Sequence, residues 1–283
     1  QFLFQNGPYK VPNSGVFVNV YGNPDLEAQK TVMYEIGFRQ EFFDNYLIDV
    51  TGFYRDVRDW ITAGSIIQTR NLVTYSIFTN KDYANVKGIT LTLNRQFLNY
   101  FAFDLNYTYQ VAEGSNSKPE DEFNAAKGSG EPSLYLIPMD WDQNHLLNAN
   151  LSVGVEGWRG SLLARYGTGA PNSPITTIYT RVIGAGLQKN SRRIPSQFSM
   201  DLKLDKTFQL MGLEITFFTR IFNLLDNKVP LRVFLDSGKP DFTALGQSVG
   251  YDANRPNTVE EYLRYPDRYA EPRNVQFGFE FSF

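Results

Sequence analysis

The 283-residue sequence contains no cysteine, so disulfides and thiol chemistry are excluded outright. It holds a single histidine, His145, which rules out a metal centre built from several imidazoles. No apolar run approaches the ~20 residues that a membrane-crossing helix needs. A basic excess is missing too. With 27 Lys and Arg against 30 Asp and Glu, the net charge of −3 argues against a nucleic-acid partner. No secretory leader is visible, because Gln1 opens a polar, turn-rich stretch; the chain reads as a mature product or a fragment. Aromatic residues, by contrast, are abundant: 23 Phe, 17 Tyr and 3 Trp, many at every second position of long segments.

That two-residue period is the dominant pattern. Val32, Tyr34, Ile36 and Phe38 alternate with Met33, Glu35, Gly37 and Arg39. Phe101, Phe103, Leu105, Tyr107 and Tyr109 alternate with Ala102, Asp104, Asn106, Thr108 and Gln110. The last segment sets Val275, Phe277, Phe279, Phe281 and Phe283 against Gln276, Gly278, Glu280 and Ser282. Similar segments surround residues 46–55, 89–97, 147–153, 158–166, 200–205 and 213–221. Side chains of a strand point to opposite faces in turn, so each segment has one greasy wall and one polar wall. The polar wall carries Arg39, Asp49, Asp104, Arg165, Asp201, Lys203 and Glu214, too much charge for a dry sandwich core. Several segments also reach ten residues, where soluble strands usually have ~5–6.

The connections alternate in length. Asp44-Asn45, Leu98-Asn99, Glu156-Gly157 and Leu210-Met211-Gly212 read as tight hairpin turns, whereas 57–82, 112–141, 168–197 and 227–273 are long. Short turns on one rim and long loops on the other define an outer-membrane barrel. Tyr34, Tyr46, Tyr107, Tyr109, Trp158 and Tyr166 fall near strand ends, where aromatic girdles form. The expected fold is therefore all-β: a transmembrane antiparallel β-barrel with long extracellular loops. About nine strands are legible, all after residue 30. Bacterial single-chain barrels have even strand numbers, so either Gly15–Tyr21 supplies a short tenth strand or further strands complete the wall. Residues 1–30 are expected to form an extracellular loop region, and 31–283 the C-terminal portion of the barrel.

Several strings carry a family resemblance. Gly22-Asn23-Pro24-Asp25-Leu26 with Glu27 and Lys30, then Tyr34-Glu35-Ile36-Gly37-Phe38, resemble the start of a barrel strand in TonB-dependent outer-membrane receptors. Phe53-Tyr54-Arg55-Asp56, Tyr83-Ala84-Asn85-Val86-Lys87-Gly88-Ile89 and Asp140-Trp141-Asp142-Gln143-Asn144-His145 are similar to later parts of those barrels. Phe222-Asn223-Leu224-Leu225-Asp226 and the terminal Phe283 resemble the family's penultimate strand and C-terminal assembly signal. The order and spacing of these strings, from residue 22 to the end, are more specific than any one of them. The resemblance implies TonB-dependent uptake of a scarce solute such as a metal chelate, cobalamin, glycan or peptide. It further implies a plug domain, early strands and a TonB-contacting segment, none of which has a counterpart here. Implied partners are that plug, the TonB complex acting through it, outer-membrane lipids and lipopolysaccharide, the solute itself and, in some members, a surface lipoprotein. The alternative is a small passive porin closed by this chain alone.

Chemistry-bearing residues are few. His145 beside Asp140 and Asp142 is better read as hydrogen bonding at the barrel rim than as a catalytic group, so no enzyme is expected. Glu120-Asp121-Glu122 reads as a solvated acidic loop rather than a calcium site, and no metal or cofactor is expected. Ligand recognition belongs to the loops, which a rigid scaffold presents. The candidates are Arg192 and Arg193 in loop 168–197, alongside Arg181 and Lys189. The last loop adds Tyr251, Arg255, Tyr262, Arg264 and Tyr269, near Tyr265 and Arg268. Tyr and Arg clamp sugars, peptides or chelates, and they equally pack loops together. Thr258-Val259-Glu260-Glu261 reads as a helix-starting box with Pro266 as its stop.

Overall fold

The computed structural model describes residues 7–11, 17–43, 45–98, 100–116, 118–127, 135–178, 181–183, 189–210, 212–243, 258, 261 and 265–282. Nine long strands carry the fold: β1 (Lys30–Phe42), β2 (Tyr46–Ala63), β3 (Thr74–Leu98), β4 (Phe101–Gly114), β5 (His145–Val155), β6 (Trp158–Gly167), β7 (Gln197–Leu210), β8 (Leu213–Phe222) and β9 (Asn274–Ser282). Each pairs antiparallel with its neighbours in sequence, so the wall is a simple meander from β1 to β9. Three short strands bring the sheet to twelve: Val20–Tyr21 and Ile67–Gln68 on β3, and Ile137–Pro138 on β4. Among the described residues the edge strands β1 and β9 do not pair with each other, and the sheet is open there.

The cross-strand register turns the sequence alternation into two faces. Phe38, Val50, Leu91, Tyr107, Leu147, Tyr166 and Phe198 are successive direct partners across β1 to β7. The adjoining row reads Arg39, Asp49, Thr92, Asn106, Asn148, Arg165 and Ser199. One row is wholly apolar or aromatic and its neighbour wholly polar. A second apolar row starts at Tyr46, the first residue of β2 beside a short turn. Arg95, its one cation, comes next, and the row then passes through Phe103, Leu151, Leu162, Leu202 and Ile221 to Val275 near the long-loop end of β9. Rows that climb from one rim to the other mean that the strands tilt against the axis, as a closing barrel requires.

The apolar face lies bare. Ile36 is 81% exposed and Phe277 67%, a surface that water would not tolerate over this extent. By register, its charged groups stand at the rims. Lys87 and Arg95 are eight residues apart on β3, which at ~3.3 Å per residue and a tilt near 40° spans roughly 20 Å of depth. That depth matches an outer-membrane apolar band. Trp158 and Tyr46 mark the short-turn rim, and Tyr34, Tyr109 and Tyr166 the long-loop rim, so most of the expected aromatics form two girdles, while Tyr107, the direct partner of Leu91, lies nearer mid-depth.

Conventional cores occur only beyond the long-loop rim. Tyr9, Val18, Val20, Ala63, Phe78 and Phe123 form one; Val57, Ala84, Val86, Ala112 and Met139 form the other. Here the structure departs from the sequence reading. Segment 57–82 is not a structureless loop: β2 and β3 continue as a ribbon through most of it. The reason is a register shift between Val57 and Ile61, with Asp59 in a left-handed conformation (φ 58°), which breaks the two-residue period without ending the strand. Of the segment Gly15–Tyr21, the described residues form the two-residue strands Phe17–Val18 and Val20–Tyr21 rather than a span. The acidic run is not solvated either. It opens helix α1 (Asp121–Lys127), where carboxylates suit the positive helix end, and Glu120 and Glu122 are buried.

Two aromatics point to the polar side, against the general rule. Phe53 is the direct partner of Gly88, and Phe218 of Gly278. Each ring lies over the missing side chain, filling a gap that a strand glycine leaves. A Cβ at Gly88 would meet Phe53 at 2.7 Å and also strike the Tyr109 carbonyl, which is backbone and cannot yield. Gly88→Ala is expected to destabilise the wall by about 1–3 kcal/mol through overpacking. Unfolding of the detergent-solubilised protein in denaturant, followed by its β circular dichroism, measures that loss; an unchanged midpoint refutes the packing argument.

Candidate functional site

The polar face has two sectors of different chemistry. Over β3 to β6 it is mostly amide and hydroxyl. Thr92 Oγ1 donates to Asn106 Oδ1 (2.9 Å), Asn94 Nδ2 to Asp104 Oδ2 (3.0 Å), and Ser161 Oγ to Asn150 Oδ1 (3.1 Å). Over β6 to β9 it is ionic, with Arg159, Lys203, Asp205, Glu214, Arg220 and Glu280 around one concavity. Lys203 Nζ lies 3.0 Å from Asp205 Oδ2, and Arg165 3.6 Å from Asp201. At the other edge Arg39 meets its direct partner Asp49 at 2.9 Å. Such pairs are partly exposed and contribute little stability singly. Together they make a hydrated wall that polar partners can bond.

Above the long-loop rim, three connections are locked into a block. Its centre is Asp142, 1% exposed. Its Oδ1 accepts the Ala112 N–H at the outer end of β4 (2.8 Å), and its Oδ2 accepts Asn144 (3.2 Å) and the Arg193 guanidinium. Arg193 Nη1 also donates to the carbonyls of Asp142 (2.7 Å) and Gly169 (3.2 Å). Beside it, Asn190 donates to Asp140 Oδ1 (2.7 Å) and the Pro138 carbonyl (2.8 Å), and Lys189 pairs with Asp121. Loop 115–144 and loop 168–196 are thus stitched together. Arg192 extends the block to the last loop by donating to the Asp236 carbonyl (3.0 Å), its stem lying against Gly238 (φ 72°).

Of the candidate ligand residues, Arg192 and Arg193 are therefore brought together, and both hold loops to one another. Tyr269 stands elsewhere in the last loop, its backbone bridged to Pro230. Burial, then the charge of Asp241, pushes the Tyr269 hydroxyl above its ordinary pKa. Tyr251, Arg255, Tyr262 and Arg264 lie outside the described residues, as does the side chain of Arg181. Arg268 is sandwiched by Phe234 (3.4 Å) and Tyr265 (4.9 Å), a packing role for the Tyr and Arg of this loop. The helix-starting box is formed: Thr258 Oγ1 accepts the Glu261 N–H (3.2 Å), and Glu261 Oε2 accepts the Thr258 N–H (3.0 Å). Pro266, however, opens a 3-10 turn, Pro266–Arg268, rather than merely ending one. Further along, the Arg273 backbone N–H and then its charge hold the Asp226 carboxyl below its ordinary pKa, clipping the last loop where β8 ends and β9 begins.

His145 sits on the membrane face of β5, stacked on Tyr107 and tilted against Tyr109, with Nδ1 2.8 Å from the Tyr107 hydroxyl. That is a girdle position. Among the described residues no cluster of His, Asp and Glu has the geometry of a metal site. Sequence reasoning missed Phe53, Phe218 and the membrane-facing cations Arg95 and Lys206 near the short-turn rim. The glycines opposite the Phe residues were the available signal for the first pair.

A tilted meander with a bare apolar face, a hydrated inner face and a structured block above one rim defines the wall of an outer-membrane β-barrel. The family described as TonB dependent receptor-like, beta-barrel matches residues 2–224, and the chain belongs to it. Solved structures agree at the level of fold. The outer membrane transporter YddB from Escherichia coli is similar at a TM-score of 0.57 and 15% identity, over 76% of this chain and 32% of that one. The siderophore receptor PirA from Acinetobacter baumannii is similar at 0.54 and 15%, over 98% and 34%. FpvA from P. aeruginosa, solved bound to a pyoverdine–Fe complex, is similar at 0.52 and 14%, over 90% and 27%. The chain thus spans about a third of the length of these proteins or less. No curated protein sequence matches it.

Proposed function

We propose that this chain is the C-terminal wall and outer loop block of a receptor for TonB-dependent uptake of a scarce solute, a metal chelate being the first candidate. The observation that carries this reading is the open sheet. Among the described residues, nine strands with a hydrated, partly ionic inner face end in edges that do not pair with each other, as in a segment of a wider, plugged barrel. On this reading residues 1–30 belong to the extracellular side and 31–283 to the wall. The ionic sector of β6 to β9 meets a plug domain, and the TonB complex acts through that plug. Tyr251, Arg255, Tyr262, Arg264 and Tyr269 face the solute, with Arg192 and Arg193 serving the site by holding the loops that present them. Glycans, peptides and cobalamin are the other solute classes, and a surface lipoprotein is a further partner. The passive-porin alternative needs β1 to meet β9, and the absence of that pairing among the described residues favours uptake. His145 beside Tyr107 and Tyr109 favours a non-enzymatic role.

Transport by the whole gene product tests the proposal. Cells carrying or lacking the gene are given radioactive ferric chelates and labelled cobalamin, with and without a protonophore. Accumulation that needs the gene and stops with the protonophore is the expected result. Steady conductance of the purified product in planar bilayers, with protonophore-insensitive uptake, would instead make it a passive channel.

A further inference from the structure

Two of the cations on the membrane face stand near the short-turn rim. Arg95 on β3 is the direct partner of Tyr46 and Phe103. Its guanidinium lies 3.6 Å from the centre of the Phe101 ring and 5.2 Å from that of Tyr46. Lys206 on β7 is the direct partner of Trp158 and Phe217, and its Nζ lies 4.8 Å from the Trp158 ring and 5.5 Å from Phe208. Their protein acceptors are backbone carbonyls: Phe101 for Arg95 (3.1 Å) and Glu156 for Lys206 (3.3 Å). Arg95 Nε is buried without a partner. Among the described residues neither cation has a carboxylate within salt-bridge distance.

The opposite rim differs at two of its cations. There Lys30 meets Asp59 (3.0 Å) and Glu27 (3.4 Å), and Arg58 meets Asp56 (2.8 Å). Lys30 and Arg58 at the long-loop rim are neutralised within the protein, whereas Lys87 there and both cations at the short-turn rim meet no carboxylate among the described residues. An unneutralised cation facing lipid is costly at the bilayer centre and nearly free at headgroup depth, where it meets anionic oxygens. The aromatic rings hold each head group at that depth while the stems lie on apolar surface. Arginine's planar fork matches the two free oxygens of a phosphodiester, and lysine offers a point charge with unused donors. The two sites are four strand spacings apart, roughly 19 Å at ~4.8 Å each, too far for one headgroup.

We propose that Arg95 and Lys206 each bind the phosphodiester of a phospholipid in the leaflet at the short-turn rim, with Phe101 and Tyr46, and Trp158 and Phe208, as platforms beside the glycerol. The inference rests on the outer-membrane placement of the wall and not on what the receptor carries.

Native mass spectrometry of the whole receptor in neutral detergent tests it, with phosphatidylglycerol or a diacylglycerol of the same chains added. Arg95→Gln, Lys206→Gln, the double variant and Arg95→Lys are compared after heat-modified gel migration confirms folding. The native receptor is expected to retain phosphatidylglycerol about fivefold better per cation than diacylglycerol. Each Gln variant loses one such site, the double variant loses both, and Arg95→Lys keeps its own. Should the double variant not fold, the single variants read the sites separately. Unchanged phosphatidylglycerol retention in the folded Gln variants overturns the proposal. Displacement of the lipid by equimolar glycerol phosphate also overturns it, by making these free-phosphate sites.

Discussion

Replacing Arg193 with Met is expected to loosen the outer loop block by about 3 kcal/mol while leaving the barrel wall intact. The argument rests on Asp142. This carboxylate is 1% exposed, and its charge is met by the Arg193 guanidinium, with neutral donors from Ala112 and Asn144 beside it. Removing one member of a buried ion pair strands the other, at a cost of about 3–5 kcal/mol. The lower end applies because the Arg193 side chain keeps 30% of its exposure and water already reaches part of the pair. Amide hydrogen exchange reads the result locally. Protection at Ala112, Asp142 and Ile194, whose N–H groups close the block, is expected to fall about a hundredfold. Amides in the middle of β4 and β5 are expected to keep theirs. Adding Asp142→Asn to Arg193→Met removes the stranded charge and retains an oxygen for the Ala112 N–H, so much of the protection should return. If the double variant exchanges as fast as Arg193→Met, the buried charge is not what holds the loops.

This block shows why parts of the molecule were legible in sequence and others were not. Strand faces are local: a residue's side follows from its parity, so Phe103 and Asp104 can be assigned to opposite walls without knowing any partner. The nine strands and the short turns were readable for the same reason. The reading failed where the parity slips, as at Asp59, because a left-handed residue inside the strand mimics a strand end. It failed again where a residue's role depends on something far along the chain. Arg193 looks like a free cation until Asp142, fifty-one residues earlier, is folded beside it. Lys189 looks the same until Asp121 arrives from α1. The acidic run at 120–122 likewise acquires its meaning from Lys81 and the helix end, not from its own composition. Phe53 and Phe218 break the rule of apolar-out because their partners Gly88 and Gly278 leave room on the wet side, a fact of register rather than of period. For the candidate site, sequence marked the loop segments but not their internal structure. It could not separate residues that hold loops from residues that meet a solute.

The second large effect concerns the membrane itself, and it separates neighbours in the chain. Leu91 lies midway between Lys87 and Arg95 on the apolar face of β3, at the centre of the uncharged band. Leu91→Arg places a guanidinium at the bilayer midplane, where a lipid-facing cation costs about 2–4 kcal/mol. Leu210 is on the same face but at the last turn of the wall, paired with Leu213 across the hairpin. Leu210→Arg should cost about 0–1 kcal/mol, since its charge reaches the headgroups. Thr92, one residue beyond Leu91, faces the hydrated interior and bonds Asn106, so Thr92→Ser keeps that bond and should fold like the native chain. Folding free energies measured in lipid vesicles by denaturant titration give the comparison directly. The ordering requires both depth and parity: a soluble sandwich would punish a buried position regardless of distance from a turn. Equal costs at Leu91 and Leu210 would mean that lipid does not cover this face. A low cost at Leu91 with a high one at Leu210 would place the apolar band at the wrong height, and with it the rims on which Arg95 and Lys206 stand.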